Sequence, residues 1–389
     1  MDLTREIAAL EKDLIQWRRE FHRIPETALE EVKTASAIAE KLCAWGLEVH
    51  TGVGGTGVVG ILRGKEEGKT LGIRADIDAL PVTEETNLPF ASIHPGKMHA
   101  CGHDGHIAIA LGTAYLLTRI RKQLRGTVVF FFQPAEETLN GAEKMLSNDL
   151  LREMKLDGVV GLHIWPDLPL GKIAVRGGPV MAAVDRFLVK VLGKGGHGAI
   201  PQKSVDPIPV AAEAVLALQR IVSREVDPLK PAVVTVARIQ GGTTFNVIPS
   251  EVELEGTVRT FDPDVRSLVA QRMEEILHGV TSGSRASYTL EYERGIPAIH
   301  NDAKVAAWIQ GVLAKSLGED SVVTDLPPSM GGDDFALFLE KAPGVYMFLG
   351  TNSEENPMYP LHHGNYSLDE RVLPIGTRVF CELALSFNG

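Results

Sequence analysis

The run Thr127-Val128-Val129-Phe130-Phe131-Phe132 has no charged residue and no polar alternation. A strand of that kind needs apolar cover on both faces, which helices on either side of a mostly parallel sheet provide. The surrounding sequence agrees. Gly57-Val58-Val59-Gly60-Ile61-Leu62 and Thr70-Leu71-Gly72-Ile73-Arg74 also read as strands. Helical periodicity covers Thr4 to His22, about Glu31 to Trp45 and about His106 to Ile120, with Ile7, Leu10, Leu14 and Trp17 on one face of the first helix. Strands alternating with helices predict an α/β layer structure. At 389 residues the chain exceeds the size one core usually serves, so two domains are expected.

From Val184 the rhythm changes. A strand at Arg186 to Leu192 precedes a helix at about Pro209 to Arg224, and strands follow at Ala232 to Ile239 and Val252 to Thr260. A helix near Val265 to Leu277 and a strand at Tyr288 to Glu293 complete the series. The order β-α-β-β-α-β is that of a ferredoxin-like unit. The expected architecture is therefore an α/β domain over residues 1–183 and 295–389, its sheet mainly parallel and covered by helices. A ferredoxin-like α+β domain, residues 184–294, is expected as an insertion.

Composition removes several function classes. A net charge of −11 argues against nucleic acid as the main partner. No apolar run reaches the ~18 residues needed to span a bilayer. The N-terminus, Met1-Asp2-Leu3-Thr4-Arg5-Glu6, lacks the basic-then-apolar pattern of a signal peptide, so a cytoplasmic location is expected. Three cysteines do not make a disulfide framework. Cys43 and Cys381 lie in apolar patterns and are expected in the core, whereas Cys101 has histidines close behind it.

The segment Met98-His99-Ala100-Cys101-Gly102-His103-Asp104-Gly105-His106 is the richest in chemistry. Thiolate and imidazole together suit zinc and similar divalent metals. A polar loop with satisfied histidines is the alternative. Phe132-Gln133-Pro134-Ala135-Glu136-Glu137 places two carboxylates at a strand's carboxyl end, where α/β sheets bind ligands. His163 in Gly161-Leu162-His163-Ile164 and His362 in Pro360-Leu361-His362-His363 each follow a leucine in a predicted loop. Singly these are ordinary surface features; together they make a ligand set. Gly52-Val53-Gly54-Gly55-Thr56-Gly57 fits a dinucleotide pattern, but strand and turn, not a helix, follow it, so nicotinamide binding is rejected.

With these residues in view, the chain resembles the di-metal amidohydrolases and peptidases that include aminoacylase and carboxypeptidase G, especially the hippurate and indole-acetyl-amino-acid hydrolase branch. Further matches are Arg18-Arg19 through Phe21-His22-Arg23-Ile24-Pro25-Glu26, Arg74-Ala75-Asp76-Ile77-Asp78-Ala79-Leu80-Pro81, and Leu361-His362 with Ser367-Leu368-Asp369-Glu370. The resemblance implies two divalent ions per subunit (zinc, manganese, cobalt or nickel). Cys101 would bridge them, His103 and His163 would hold one, and Glu137 and His362 the other. Glu136 resembles the general base that activates a metal-bridging water, and Asp78 an orienting acid. In Gly195-Gly196-His197-Gly198-Ala199, His197 resembles the histidine that reaches the scissile carbonyl, in several relatives from the other subunit of a dimer. Asn246 and Arg259 resemble the pair that holds the substrate carboxylate. Gly331-Gly332-Asp333-Asp334-Phe335 departs from the family's Gly-Glu-Asp-Phe motif by aspartate at Asp333.

The implied function is hydrolysis of N-acyl-L-amino acids, with the inserted domain as lid and dimerisation unit of a homodimer or higher oligomer. Dipeptidase or carboxypeptidase action on small peptides is the alternative. A non-catalytic metal-binding protein is a remoter one.

Overall fold

A computed structural model describes residues 2–354 and 359–388. The chain forms two compact units, Met1–Val180 with His300–Pro327 and Asp333–Gly389, and Met181–Ile299 with Pro328–Gly332.

In the first unit an eight-stranded sheet runs in the order Glu48–Val53, Gly57–Arg63, Arg125–Gln133, Glu66–Asp76, Gly158–Pro169, Gly344–Asn352, Ile173–Ala174, Val322–Val323. Its four central strands are parallel. The strand Arg125–Gln133 is covered on both sides, as its composition requires. Val128, Phe130 and Phe132 join the main core, while Phe131 stacks at 5.1 Å on Phe338 of the helix Ala336–Lys341. On the main-core side the helices Leu3–His22, His103–Arg119 and Val372–Ser386 pack together. Gly112 permits this close approach, since a Cβ there would lie 2.4 Å from the Leu14 side chain.

Parallel strands align their carboxyl ends. Asp76 pairs in register with Gln133, so the loops after these two strands start side by side. The glycine-rich segment at 52–57 is the turn of an antiparallel hairpin, with Glu48 opposite Ile61, and no helix starts there. Cys381 is buried as expected, but Cys43 is exposed. The helix Val32–Ala44 buries Thr34, Ile38 and Leu42, and one residue's rotation of ~100° carries Cys43 off that stripe.

The second unit has an antiparallel sheet in the order Ala232–Gly241, Glu251–Thr260, Ala183–Leu192, Ser287–Arg294. Two helices, Pro207–Arg220 and Pro263–Gly283, complete a ferredoxin-like α+β fold. Phe187, Val189 and Val191 meet Val210, Ala214 and Leu218 of one helix and Val269, Met273 and Leu277 of the other. Pro328–Gly332 joins this unit because the Ala182 N–H donates to the carbonyls of Ser329 and Gly331 (3.2 and 2.9 Å). Among the described residues, no helix is long and apolar enough to cross a membrane.

Gly256 sits opposite an irregularity in the pairing of Ala232–Gly241, where the register shifts between Val236 and Arg238. A Cβ at Gly256 would lie 2.1 Å from the Thr235 carbonyl and 2.3 Å from the Phe187 ring. Gly256→Ala is expected to destabilise the second unit by ~1–3 kcal/mol, as overpacking does. Denaturant unfolding followed by a probe in this unit should show a lowered midpoint; an unchanged midpoint contradicts the packing described.

Candidate metal centre

The loop after Glu66–Asp76 carries Asp78, the loop into the helix His103–Arg119 carries Cys101, and the loop after Arg125–Gln133 carries Glu136 and Glu137. His163 lies within Gly158–Pro169, and His362 follows the strand Gly344–Asn352 in sequence. The fold gathers them. Ligand atoms of Cys101, His103 and His163 lie within 4.8 Å of one another, as do those of Cys101, Glu137 and His362. The two triads share Cys101. Glu136 forms a further group with His103 and Glu137.

Two of the histidines are held by their other nitrogen. His103 Nδ1 is 2.9 Å from the Asp78 carbonyl and His163 Nδ1 is 2.7 Å from the Ile164 carbonyl. A carbonyl only accepts, so both rings carry a proton on Nδ1 and turn Nε2 inward, the usual outer support of a metal ligand. His163 Nε2 is 3.4 Å from Cys101 Sγ, and His362 Nε2 is 3.5 Å from Glu137 Oε2. His103 Nε2 and Glu137 Oε1 are buried without any hydrogen-bond partner among the described residues. Leaving such atoms unpaired is costly unless something else is bound there.

The protein groups alone leave this pocket short of positive charge. Burial, then the charges of Glu137, Glu136 and Asp76, hold the Cys101 thiol well above its ordinary range. Burial, then Asp333, Glu137 and Asp334, push Glu136 well up. Burial pushes Glu137 up to about 7, with Asp78 and Asp76 adding to it against His103. Burial opposes a charge on His103, but Asp76, Asp78 and Glu137 raise it to about 10. A proton on His103 there supplies the positive charge the site lacks. Divalent cations would supply more and would deprotonate a coordinated thiol outright. The residues therefore fit a metal.

His106 does not present a free nitrogen. It meets Asp76 Oδ1 through Nδ1 at 2.5 Å, and its Nε2 accepts from the Ile164 N–H at 3.0 Å. Beneath the site, buried Arg74 pairs with Asp76 (2.7 Å), Asp333 (2.9 Å) and Asp334 (3.2 Å) and donates to Gln133 (2.9 Å). The Tyr346 hydroxyl also donates to Asp333, so the shorter side chain at this position is fully engaged.

The chain belongs to the peptidase family M20/M25/M40. Residues 72–386 match that family. The chain is 43% identical over 373 residues to an N-acetylcysteine deacetylase of Bacillus subtilis, covering 96% of each chain. It is 39% identical over 391 residues to thermostable carboxypeptidase 1 of Saccharolobus solfataricus, covering 99% of this chain and 98% of the other. A solved Bacillus subtilis structure, described as a dinuclear metal binding peptidase from the M20 family, superposes with a TM-score of 0.85 at 39% identity. That match covers 98% of this chain and 99% of the other.

The remaining expected site residues lie in the second unit. His197 pairs with Val247 across the short segments Gly196–His197 and Val247–Ile248, and just beyond that pair the Gly198 N–H donates to the Asn246 carbonyl at 2.9 Å. His197 and Asn246 line a cleft of about 970 Å³ with Gly195, Gly241 and Ser250. His197 Nδ1 accepts from the Ala199 N–H at 3.0 Å, leaving Nε2–H as a donor. Arg259 is apart from that cleft, on the strand Glu251–Thr260, where it donates to the Thr257 hydroxyl. Sequence reasoning missed Asp76 and Arg74 as supports. Their signal was available, since Arg74, Asp76 and Asp78 alternate on one face at the strand's end.

Chelator-treated protein titrated with zinc, manganese, cobalt or nickel should melt at a higher temperature. Saturation to about a hundred times Kd corresponds to ~2.7 kcal/mol of added stability. His103→Ala should reduce that gain. A melting temperature indifferent to all four ions contradicts metal binding at this centre.

Proposed function

We propose that this enzyme hydrolyses the amide bond of N-acyl-L-amino acids in a di-metal centre. The observation that carries the reading is the pair of triads sharing Cys101, with Glu136 beside them. The kinship with a deacetylase of N-acetylcysteine supports the substrate class. Cys101 would bridge the two ions, with His103 and His163 holding one and Glu137 and His362 the other. Bound divalent ions (zinc, manganese, cobalt or nickel) would supply Lewis acidity and lower the pKa of water.

The chain's own groups do the rest. Glu136, ionised beside the bound cations, takes the proton of the attacking water and returns it to the leaving nitrogen. Asp78 accepts from the Glu137 N–H at 3.0 Å and its carbonyl fixes His103, so one residue orients both ligand loops. The Nε2–H of His197 suits donation to the scissile carbonyl oxygen. By resemblance Arg259 and Asn246 would hold the substrate carboxylate, a guanidinium fork pairing with two oxygens, although within this chain Arg259 lies apart from the cleft that Asn246 lines.

Carboxypeptidase action is the second reading, favoured by the kinship with a thermostable carboxypeptidase. Both substrate classes place an amide near a carboxylate, and a tenfold preference needs only ~1.4 kcal/mol. A non-catalytic role has little support, since the ligand positions and the base are all filled. We read the enzyme as cytoplasmic and as a homodimer or higher oligomer joined through the second unit. Phe245 is 99% exposed there, Val247 and Ile239 are exposed too, and Ala232–Gly241 is an edge strand of the sheet.

Glu136→Gln should lower kcat by ~10²–10⁴-fold with bound metal unchanged. Full activity in that variant excludes Glu136 as the base. Parallel assays on hippurate, acetylated amino acids and dipeptides should show the N-acyl substrates cleaved with the highest kcat/KM; a preference for dipeptides transfers the assignment to the peptidase reading. Sedimentation at micromolar concentration should find a dimer or larger species, and a fully active monomer contradicts the assembly.

A further inference from the structure

The loop bearing Glu136 has an unusual backbone. Ala135 holds φ at +53° and Leu139 at +57°, both in the left-handed region that side-chain-bearing residues rarely adopt. Within the loop, the Leu139 N–H donates to the Glu136 carbonyl (2.7 Å) and the Gly141 N–H to the Ala135 carbonyl (3.2 Å). Neither bond reaches the N–H of Ala135 itself. That group donates at 2.9 Å to Glu31, which is 104 residues away in the chain.

Glu31 is completely buried. Its other oxygen accepts from the Thr56 hydroxyl at 2.5 Å, so both carboxylate oxygens are engaged. It stands just before the helix Val32–Ala44, whose first turn is fixed by Glu26 accepting from the Lys33 and Thr34 N–H groups (3.2 and 2.9 Å). The Glu26 carbonyl accepts from the Ala79 N–H at 2.8 Å, one residue past Asp78. A single segment thus touches the Asp78 loop and the Glu136 loop. This segment lies before residue 72, where the family match begins.

We infer that Glu31 is a positioning residue for hydrolysis: it pins Ala135 in its left-handed conformation and so aims the adjacent Glu136. The inference rests on the reading of Glu136 as the base. What the two contacts of Glu31 demand is reach and a polar group at each end of the fork, and its charge is incidental. The substitution Glu31→Gln keeps the length and an acceptor for the Ala135 N–H, with the new amide turned to the Thr56 oxygen. The substitution Glu31→Asp keeps the charge but stops one methylene short. Burial raises the pKa of Glu31, consistent with a site where net charge is not what is used.

The test compares Glu31→Gln, Glu31→Asp and Glu31→Ala in the full metal-loaded enzyme. Glu31→Gln should keep kcat within about threefold of the parent, while Glu31→Asp and Glu31→Ala lose about tenfold to a hundredfold in kcat, the scale of an ångström's misplacement, with little change in KM. Metal content per chain should be the same in all four proteins. Hydrogen exchange of the peptide spanning 133–141 should speed up in Glu31→Asp and stay slow in Glu31→Gln. If Glu31→Ala does not fold, the order of the glutamine variant above the aspartate variant still decides. An aspartate variant that matches or exceeds the glutamine variant overturns the inference, as does metal loss accompanying the fall in activity. Exchange that is unaltered in Glu31→Asp also overturns it. The exchange measurement stands even if Glu136→Gln retains activity, so a wrong base assignment and a wrong role for Glu31 give different results.

Discussion

Repulsion among buried anionic groups is the constraint on which this site depends. Asp76, Asp78, Glu136, Asp333 and Asp334 are all buried about Arg74 and His103, with Glu137 and Cys101 beside them. In a low-dielectric surrounding such groups cannot all stay ionised without compensating cations. Arg74 answers from beneath, paired with Asp76, Asp333 and Asp334. Above it, the unpaired His103 Nε2 and Glu137 Oε1 mark where further positive charge is wanted. Stability of the fold and capacity to hold metal are therefore two readings of the same electrostatics. Burial and like charge push Glu137 to about 7, and a cation would reverse that push.

The parallel sheet makes the crowding achievable. Strands Glu66–Asp76 and Arg125–Gln133 end in register, so the Asp78 and Glu136 loops leave the sheet together. Backbone groups then lock the loops to one another. The Glu137 N–H reaches Asp78, the Ala135 N–H reaches Glu31, and the Ala142 N–H reaches Asp334 at 2.9 Å. These bonds hold Ala135 against a left-handed strain of ~1–2 kcal/mol, which a free loop would relax.

Much of this was legible in the sequence. The unbroken apolar strand at 127–132 announces a doubly covered sheet, and the change of rhythm at Val184 announces the ferredoxin-like unit. The proposed ligand set could be assembled from the sequence only through resemblance, because isolated His163 and His362 read like any loop histidine, and His163 in fact lies within the strand Gly158–Pro169. What stayed hidden is what depends on long-range contact. Glu31 reads as an ordinary surface glutamate beside Glu30, and nothing local reveals that it meets Ala135. Cys43 was placed in the core because an apolar neighbourhood does not fix which side of a helix a residue occupies. Spacing alone does not separate His106 from His103; the contacts of His106 with Asp76 and the Ile164 N–H, which occupy both its nitrogens, do.

The central claim is that Cys101 joins two metal sites. Anomalous diffraction from crystals of the zinc-loaded enzyme, collected on both sides of the zinc edge, tests it most directly. The account predicts two peaks flanking Cys101 Sγ at ~2.3 Å, one also bound by His103 and His163, the other by Glu137 and His362. A single peak, or peaks that do not share Cys101, would contradict it.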